Sequence, residues 1–120
     1  IRYELLTRLQ SLPEQYSICH GDFSPSNIII TPKNELYVID WSHVTQGNPC
    51  ADVARTYLLL SLKSEAKYAE EYLDTFCKTS GMNRANVFAW LPIVACSQTV
   101  KKFPEEKELL LKWVNVVDYE

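Results

Sequence analysis

Apolar positions along the chain change period several times, and each change marks an element. Over "RYELLTRLQS", Tyr3, Leu5, Leu6 and Leu9 recur at helical spacing, and Pro13 closes a helix over 2–11. "YSICHGD" leads through a short extended segment into a loop. "NIIIT" and "ELYVID" then run β-branched and aromatic on either side of "PKN", the pattern of a hairpin. Both faces of these strands are apolar, which predicts a sandwiched hairpin rather than one solvated on one side. After Asp40 the stretch "WSHVTQGNP" is irregular. Asn48 as a cap and Pro49 at the first position open a helix over about 49–63. That helix is apolar almost all round ("VARTYLLLSL") and is therefore expected at the centre. Further helices follow over about 65–79, ended by Gly81, about 83–101, and about 104–118 beginning near Pro104. Pro92 lies inside the second of these and should kink or divide it. The expected fold class is α+β and mostly helical: a helical body with one small β-hairpin.

Polar residues gather at the open end of that hairpin. With Lys33 and Asn34 as the central turn residues, Ile30 faces Tyr37, Ile29 faces Val38 and Ile28 faces Ile39, all apolar pairs. One step further, Asn27 faces Asp40, which aims an amide oxygen and a carboxylate at one point. Two hard oxygen donors, with room left for water and phosphate oxygens, suit Mg²⁺. Asp22 lies five residues before Asn27, across "FSPS". A carboxylate there can accept the proton of an attacking hydroxyl while Asn27 and Asp40 hold the metal. Phosphoryl transfer needs this division of labour, because positioning and charge neutralisation account for most of its catalysis.

Composition narrows the classes. A net charge of -3 over 120 residues leaves no basic footprint for nucleic acid or an anionic membrane surface. No apolar run approaches the ~18 residues of a membrane span, and no secretory signal opens the chain. Cys19, Cys50, Cys77 and Cys96 are scattered without a metal spacing and read as buried thiols of a cytoplasmic protein.

"HGDFSPSN" followed by "VIDW" resembles the catalytic loop and metal-binding segment of the aminoglycoside phosphotransferase and choline kinase family. These are relatives of the protein kinases, whose catalytic loop has the same Asp-to-Asn spacing. The resemblance implies a protein-kinase-like fold and transfer of the γ-phosphate of ATP, or another nucleoside triphosphate, to a small-molecule hydroxyl with Mg²⁺. Carried over by motif, Asp22 resembles the catalytic base, Asn27 the first metal ligand and Asp40 the second, while His20 resembles the loop-shaping histidine. "GNPCADVART" resembles the family's G-D-P-x-x-D-hydrophobic-A segment, in which Asp52 would hydrogen-bond the backbone of the loop. Asn48 stands where the family has an aspartate, and it caps equally well. The helices after residue 64 would form the substrate wall, although their mixed acids and bases select no particular substrate.

The family's N-terminal lobe, with its strand lysine and its loop over the ATP phosphates, has no counterpart in these residues. Gly21, Gly47 and Gly81 are the only glycines, and none lies in a glycine-rich loop between strands. Residues 1–120 are therefore expected to be a single C-terminal lobe, inactive alone, on which a nucleotide-binding lobe packs. Two other classes were open to the same residues. A metal-dependent phosphohydrolase would need more ligands than two histidines allow. A non-catalytic kinase-like or helical interaction module would not need Asp22, Asn27 and Asp40 intact.

Neighbouring residues have plainer readings. Ser24 and Ser26 have no base to activate them and belong to loop packing. Cys19 and His20 are adjacent in an extended segment and point to opposite sides, which removes a thiol nucleophile. His43 stands between a surface position and the wall of the site. Trp41, Trp90 and Trp113 read as core or interface aromatics.

Overall fold

The computed structural model describes residues 2–63 and 66–99. A first helix, α1 (Arg2–Ser11), ends two residues before Pro13 and is followed by a short strand, β1 (Ser17–Cys19). A loop and a single 3-10 turn (Pro25–Asn27) lead into the hairpin β2 (Ile28–Ile30) and β3 (Leu36–Val38). Strand β4 (Thr45–Gly47) precedes four helices: α2 (Pro49–Leu62), α3 (Ala66–Ser80), α4 (Arg84–Phe88) and α5 (Leu91–Thr99). The helix expected over 104–118 lies outside the described residues. No helix among those described is long and apolar enough to cross a membrane.

Helix α2 is the centre of the body, as its all-round apolar sequence predicts. It packs against α3, α4, α5 and β1. Leu58 is fully buried there, together with Ala54, Tyr57 and Leu60 of the same helix. Leu73 from α3, Val87 from α4 and Leu91 and Ala95 from α5 complete this core. Its start is fixed by Asn48, whose Oδ1 accepts from Cys50 N at 2.9 Å while Nδ2 donates to Pro13 O at 3.0 Å. One side chain thus caps α2 and ties it to the segment after α1. Pro92 divides the expected long helix into α4 and α5; at the second position of α5 its missing N–H is not needed.

The hairpin differs from expectation in two ways. Its register pairs Ile28 with Val38, Ile29 with Tyr37 and Ile30 with Leu36, one residue away from the register of a two-residue turn. Three residues, Pro32, Lys33 and Asn34, form the loop. Thr31 O accepts from Asn34 N at 2.9 Å, and Thr31 N donates to Glu35 O at 2.9 Å. Asn34 adopts a left-handed φ of 60°, which Asn tolerates and a three-residue hairpin loop requires at this place. Asn27 consequently pairs with Ile39, whose N–H donates to its carbonyl at 2.8 Å, and does not face Asp40. Nor is the hairpin sandwiched: Ile29, Ile30, Leu36 and Tyr37 are all exposed.

Strand β4 was not foreseen, because "TQG" carries no β pattern. It pairs antiparallel with β1, matching Ser17 to Gly47 and Cys19 to Thr45. This two-stranded ladder sets the chain on both sides of the polar loop and delivers it onto the first turns of α2.

Candidate active site

Residues 20–23 lie across one face of α2, and the helix holds them one after another. Asp52, in the first turn, accepts from His20 N through Oδ2 and from Gly21 N through Oδ1, both at 3.0 Å. Arg55, one turn on, brings Nη1 to 2.9 Å from Asp22 Oδ1. Thr56 donates its hydroxyl to Phe23 O at 2.6 Å. Positions i, i+3 and i+4 share a helix face, so "D-x-x-R-T" is a row of three side chains meeting four consecutive loop residues.

The loop also braces itself. His20 is nearly fully buried, and its Nδ1 accepts from Asp22 N at 3.1 Å. That acceptor role assigns the ring proton to Nε2, which donates to Ile39 O at 2.8 Å. The ring is flanked by Trp41 at 4.5 Å and Phe23 at 5.9 Å between centroids. His20 therefore ties the loop to the end of β3, with neither ring nitrogen left for proton transfer. Gly21 has φ +86°, and a Cβ on it would sit 2.3 Å from His43 O. Only glycine allows that approach. Phe23 lies 6.1 Å from the ring of Tyr72 on α3, where burial pushes the tyrosine hydroxyl up to about 12.

Asn27 faces back across the loop. Its Nδ2 donates to Asp22 O at 2.8 Å and approaches Asp22 Oδ2 at 3.3 Å. The amide nitrogen is thus committed to Asp22, which leaves Oδ1 as the outward acceptor. Asp22 remains about a quarter exposed, held by Arg55 on one oxygen and Asn27 on the other. Asp40 follows the hairpin with a left-handed φ of 58°, which breaks the strand alternation and re-aims its side chain. Its Oδ1 accepts from the Ser42 hydroxyl at 2.8 Å, and this bond is the main cause holding the carboxyl below its usual range. Asp40 is an exposed, ionised carboxylate.

Asn27 and Asp40 carry oxygen donors of the type a hard cation takes, although the hairpin register does not set the two residues opposite each other. Among the described residues no group of three or more His, Cys, Asp or Glu forms a closed metal cage. Among the plainer readings, Trp41 is exposed rather than in the core, and Trp113 lies outside the described residues. Ser24 and Ser26 hydrogen-bond each other at 2.8 Å. Burial pushes the Cys19 thiol up and its Sγ donates to Ser17 O at 3.6 Å, and the four cysteines form no disulfide. His43 is exposed and lends its carbonyl to the approach of Gly21.

Sequence reading missed Arg55 and Thr56. Their signal is spacing: both fall on the Asp52 face of a helix whose other faces are buried. Behind the loop, Arg55 also lines a cavity of about 390 Å³ with Gly21, Asp52, Trp90 and Gln98.

The helical body, the two small sheets and the braced loop are in keeping with the kinase-like resemblance of the sequence. The chain belongs to the phosphotransferase enzyme family, whose model matches residues 2–88. Its fold is similar to that of the choline kinase LicA from Streptococcus pneumoniae, with a TM-score of 0.65 at 20% sequence identity. The match covers 98% of this chain and 45% of that one. Among curated proteins it is similar to acyl-CoA dehydrogenase family member 11 from Homo sapiens, 26% identical over 95 residues, and from Pongo abelii, 27% identical over 96. The matches cover 66% of this chain and 12% of those relatives.

Proposed function

We propose that this chain is the acceptor-side, C-terminal lobe of an ATP-dependent kinase that phosphorylates a hydroxyl of a small molecule. The observation that carries this reading is the Asp22–Asn27 pair on a loop clamped to α2. A part-buried carboxylate with neighbours on both oxygens can orient an acceptor hydroxyl and take its proton as the new P–O bond forms. Asn27 Oδ1 and Asp40 would hold Mg²⁺ there. When bound, the metal supplies neutralisation of charge on the phosphate oxygens. His20 and Asp52 keep the loop's shape, so Asp22 need not be ordered when the acceptor arrives.

The nucleotide-binding lobe is expected to pack against the exposed hairpin, whose apolar side chains lie beside Asn27 and Asp40. Four cysteines with no disulfide among them suit a cytoplasmic location. The reading is tested with full-length protein, ATP, Mg²⁺ and a panel of hydroxyl acceptors (aminoglycosides, choline, sugars, homoserine), followed by ³¹P NMR. A new phosphomonoester signal accompanied by ADP is expected with one acceptor class. ATP converted only to inorganic phosphate across the panel would overturn the reading.

A further inference from the structure

We propose that Arg55 is a positioning residue for Asp22: its guanidinium fixes the carboxylate in the orientation that phosphoryl transfer uses. The proposal rests on the reading of Asp22 as the acceptor-side base. Three observations support it. Arg55 Nη1 stands 2.9 Å from Asp22 Oδ1, and both side chains are mostly withdrawn from solvent, at 22% and 29% exposure. Nη1 itself is buried and makes no hydrogen bond, so among the described residues the Asp22 carboxylate is the ionic partner that answers its charge. The other oxygen of Asp22 is approached by Asn27 Nδ2 at 3.3 Å. The carboxylate thus has a cationic neighbour at one oxygen and an amide donor near the other, with the remaining lone pairs left for an acceptor hydroxyl.

The neighbours of Arg55 on α2 contact only loop backbone. Asp52 holds the N–H groups of His20 and Gly21, and Thr56 holds the carbonyl of Phe23. Arg55 alone of the three touches the side chain of the residue that does the chemistry. Loss of Asp52 or Thr56 would loosen the loop as a whole. Loss of Arg55 leaves the backbone in place and frees one rotamer. A carboxylate displaced by about 1 Å costs on the order of 10²-fold in rate while substrate binding is nearly unchanged.

The test compares Arg55→Gln, Arg55→Lys and Asp22→Asn in the full-length enzyme, each checked by its melting curve. Arg55→Gln keeps length and polarity but removes the charge. Its kcat is expected to fall roughly 10–100-fold, with KM for ATP and acceptor within about threefold of the unaltered enzyme. Arg55→Lys restores the charge and is expected to recover at least half of that loss on a logarithmic scale. If Arg55 acts through Asp22, the double variant Arg55→Gln with Asp22→Asn is no slower than Asp22→Asn alone.

A kcat for Arg55→Gln within threefold of the unaltered enzyme, beside an inactive Asp22→Asn, overturns the role of Arg55 and leaves the base assignment standing. Full activity of Asp22→Asn instead overturns the base assignment. Should Arg55→Gln fail to fold, a crystal structure of the unaltered enzyme with nucleotide and acceptor decides. Arg55 within about 3.5 Å of the Asp22 carboxylate supports the role, and a guanidinium swung away from it overturns the role.

Discussion

Gly21 meets the carbonyl of His43 so closely that its missing side chain is part of the site. Gly21→Ala would place a Cβ 2.3 Å from that oxygen at a φ of +86°. A loss of about 2 kcal/mol or more is expected, read as a drop in urea midpoint with an unchanged slope. Asp52 is the second such residue. Asp52→Asn turns an acceptor that serves two backbone N–H groups into a group with only one acceptor oxygen. The expected cost is about 1–3 kcal/mol, with faster hydrogen exchange at His20 and Gly21 amides than at the core of α2. Unchanged protection at those two amides would contradict the bracing role. The bracing contacts of His20 and Asp52 were legible in the motif, since fixed spacing in the chain survives folding. Arg55 was not, because its partner lies 33 residues away and no local pattern announces an ion pair across that distance.

Helix α2 serves the site through its burial. One face clamps the loop, and the others are packed by α3, α4 and α5. Leu58→Ala, at a fully buried large side chain of that core, is expected to cost about 2–5 kcal/mol in chemical denaturation. A smaller tie joins α3 to α4: Arg84 pairs with Glu70 at 2.6 Å and Asp74 at 2.9 Å, and its guanidinium sits 5.3 Å over Phe88. The Arg84 hydrogen bond is the main cause lowering the Glu70 carboxyl from its ordinary 4.5. A carboxyl depressed in the folded state stabilises above its unfolded value, and that contribution is lost as pH falls through the folded value. Arg84→Ala should therefore lower the melting temperature near neutral pH, and the difference should shrink as pH falls below that ordinary value. The helices were readable because caps, prolines and periodicity act locally. The hairpin register was not, since "PKN" fits a two-residue or a three-residue loop and both registers pair apolar with apolar. The left-handed Asn34 decides between them, and composition does not reveal it.

On the scale of the whole molecule, the hairpin stands out from the helical body with an apolar surface. Ile30 and Leu36 are 65% and 67% exposed, opposite each other in the ladder. The sequence pattern that predicts a sandwich is sound physics for a strand covered on both sides, and the described residues supply no such cover. If a nucleotide-binding lobe packs there as proposed, the isolated chain is expected to bind a hydrophobic dye that the two-lobed protein does not. Leu36→Lys should reduce that dye binding and, in the two-lobed protein, impair phosphoryl transfer by weakening the proposed seat. The proposed service of Asp22 to the acceptor hydroxyl is tested by single-turnover phosphoryl transfer in full-length enzyme with saturating ATP, Mg²⁺ and acceptor, Asp22→Ala against the unaltered protein, with nucleotide affinity measured in parallel. A rate lower by at least about 10²-fold at unchanged nucleotide affinity is expected, and a rate within threefold of the unaltered enzyme would rule out that role.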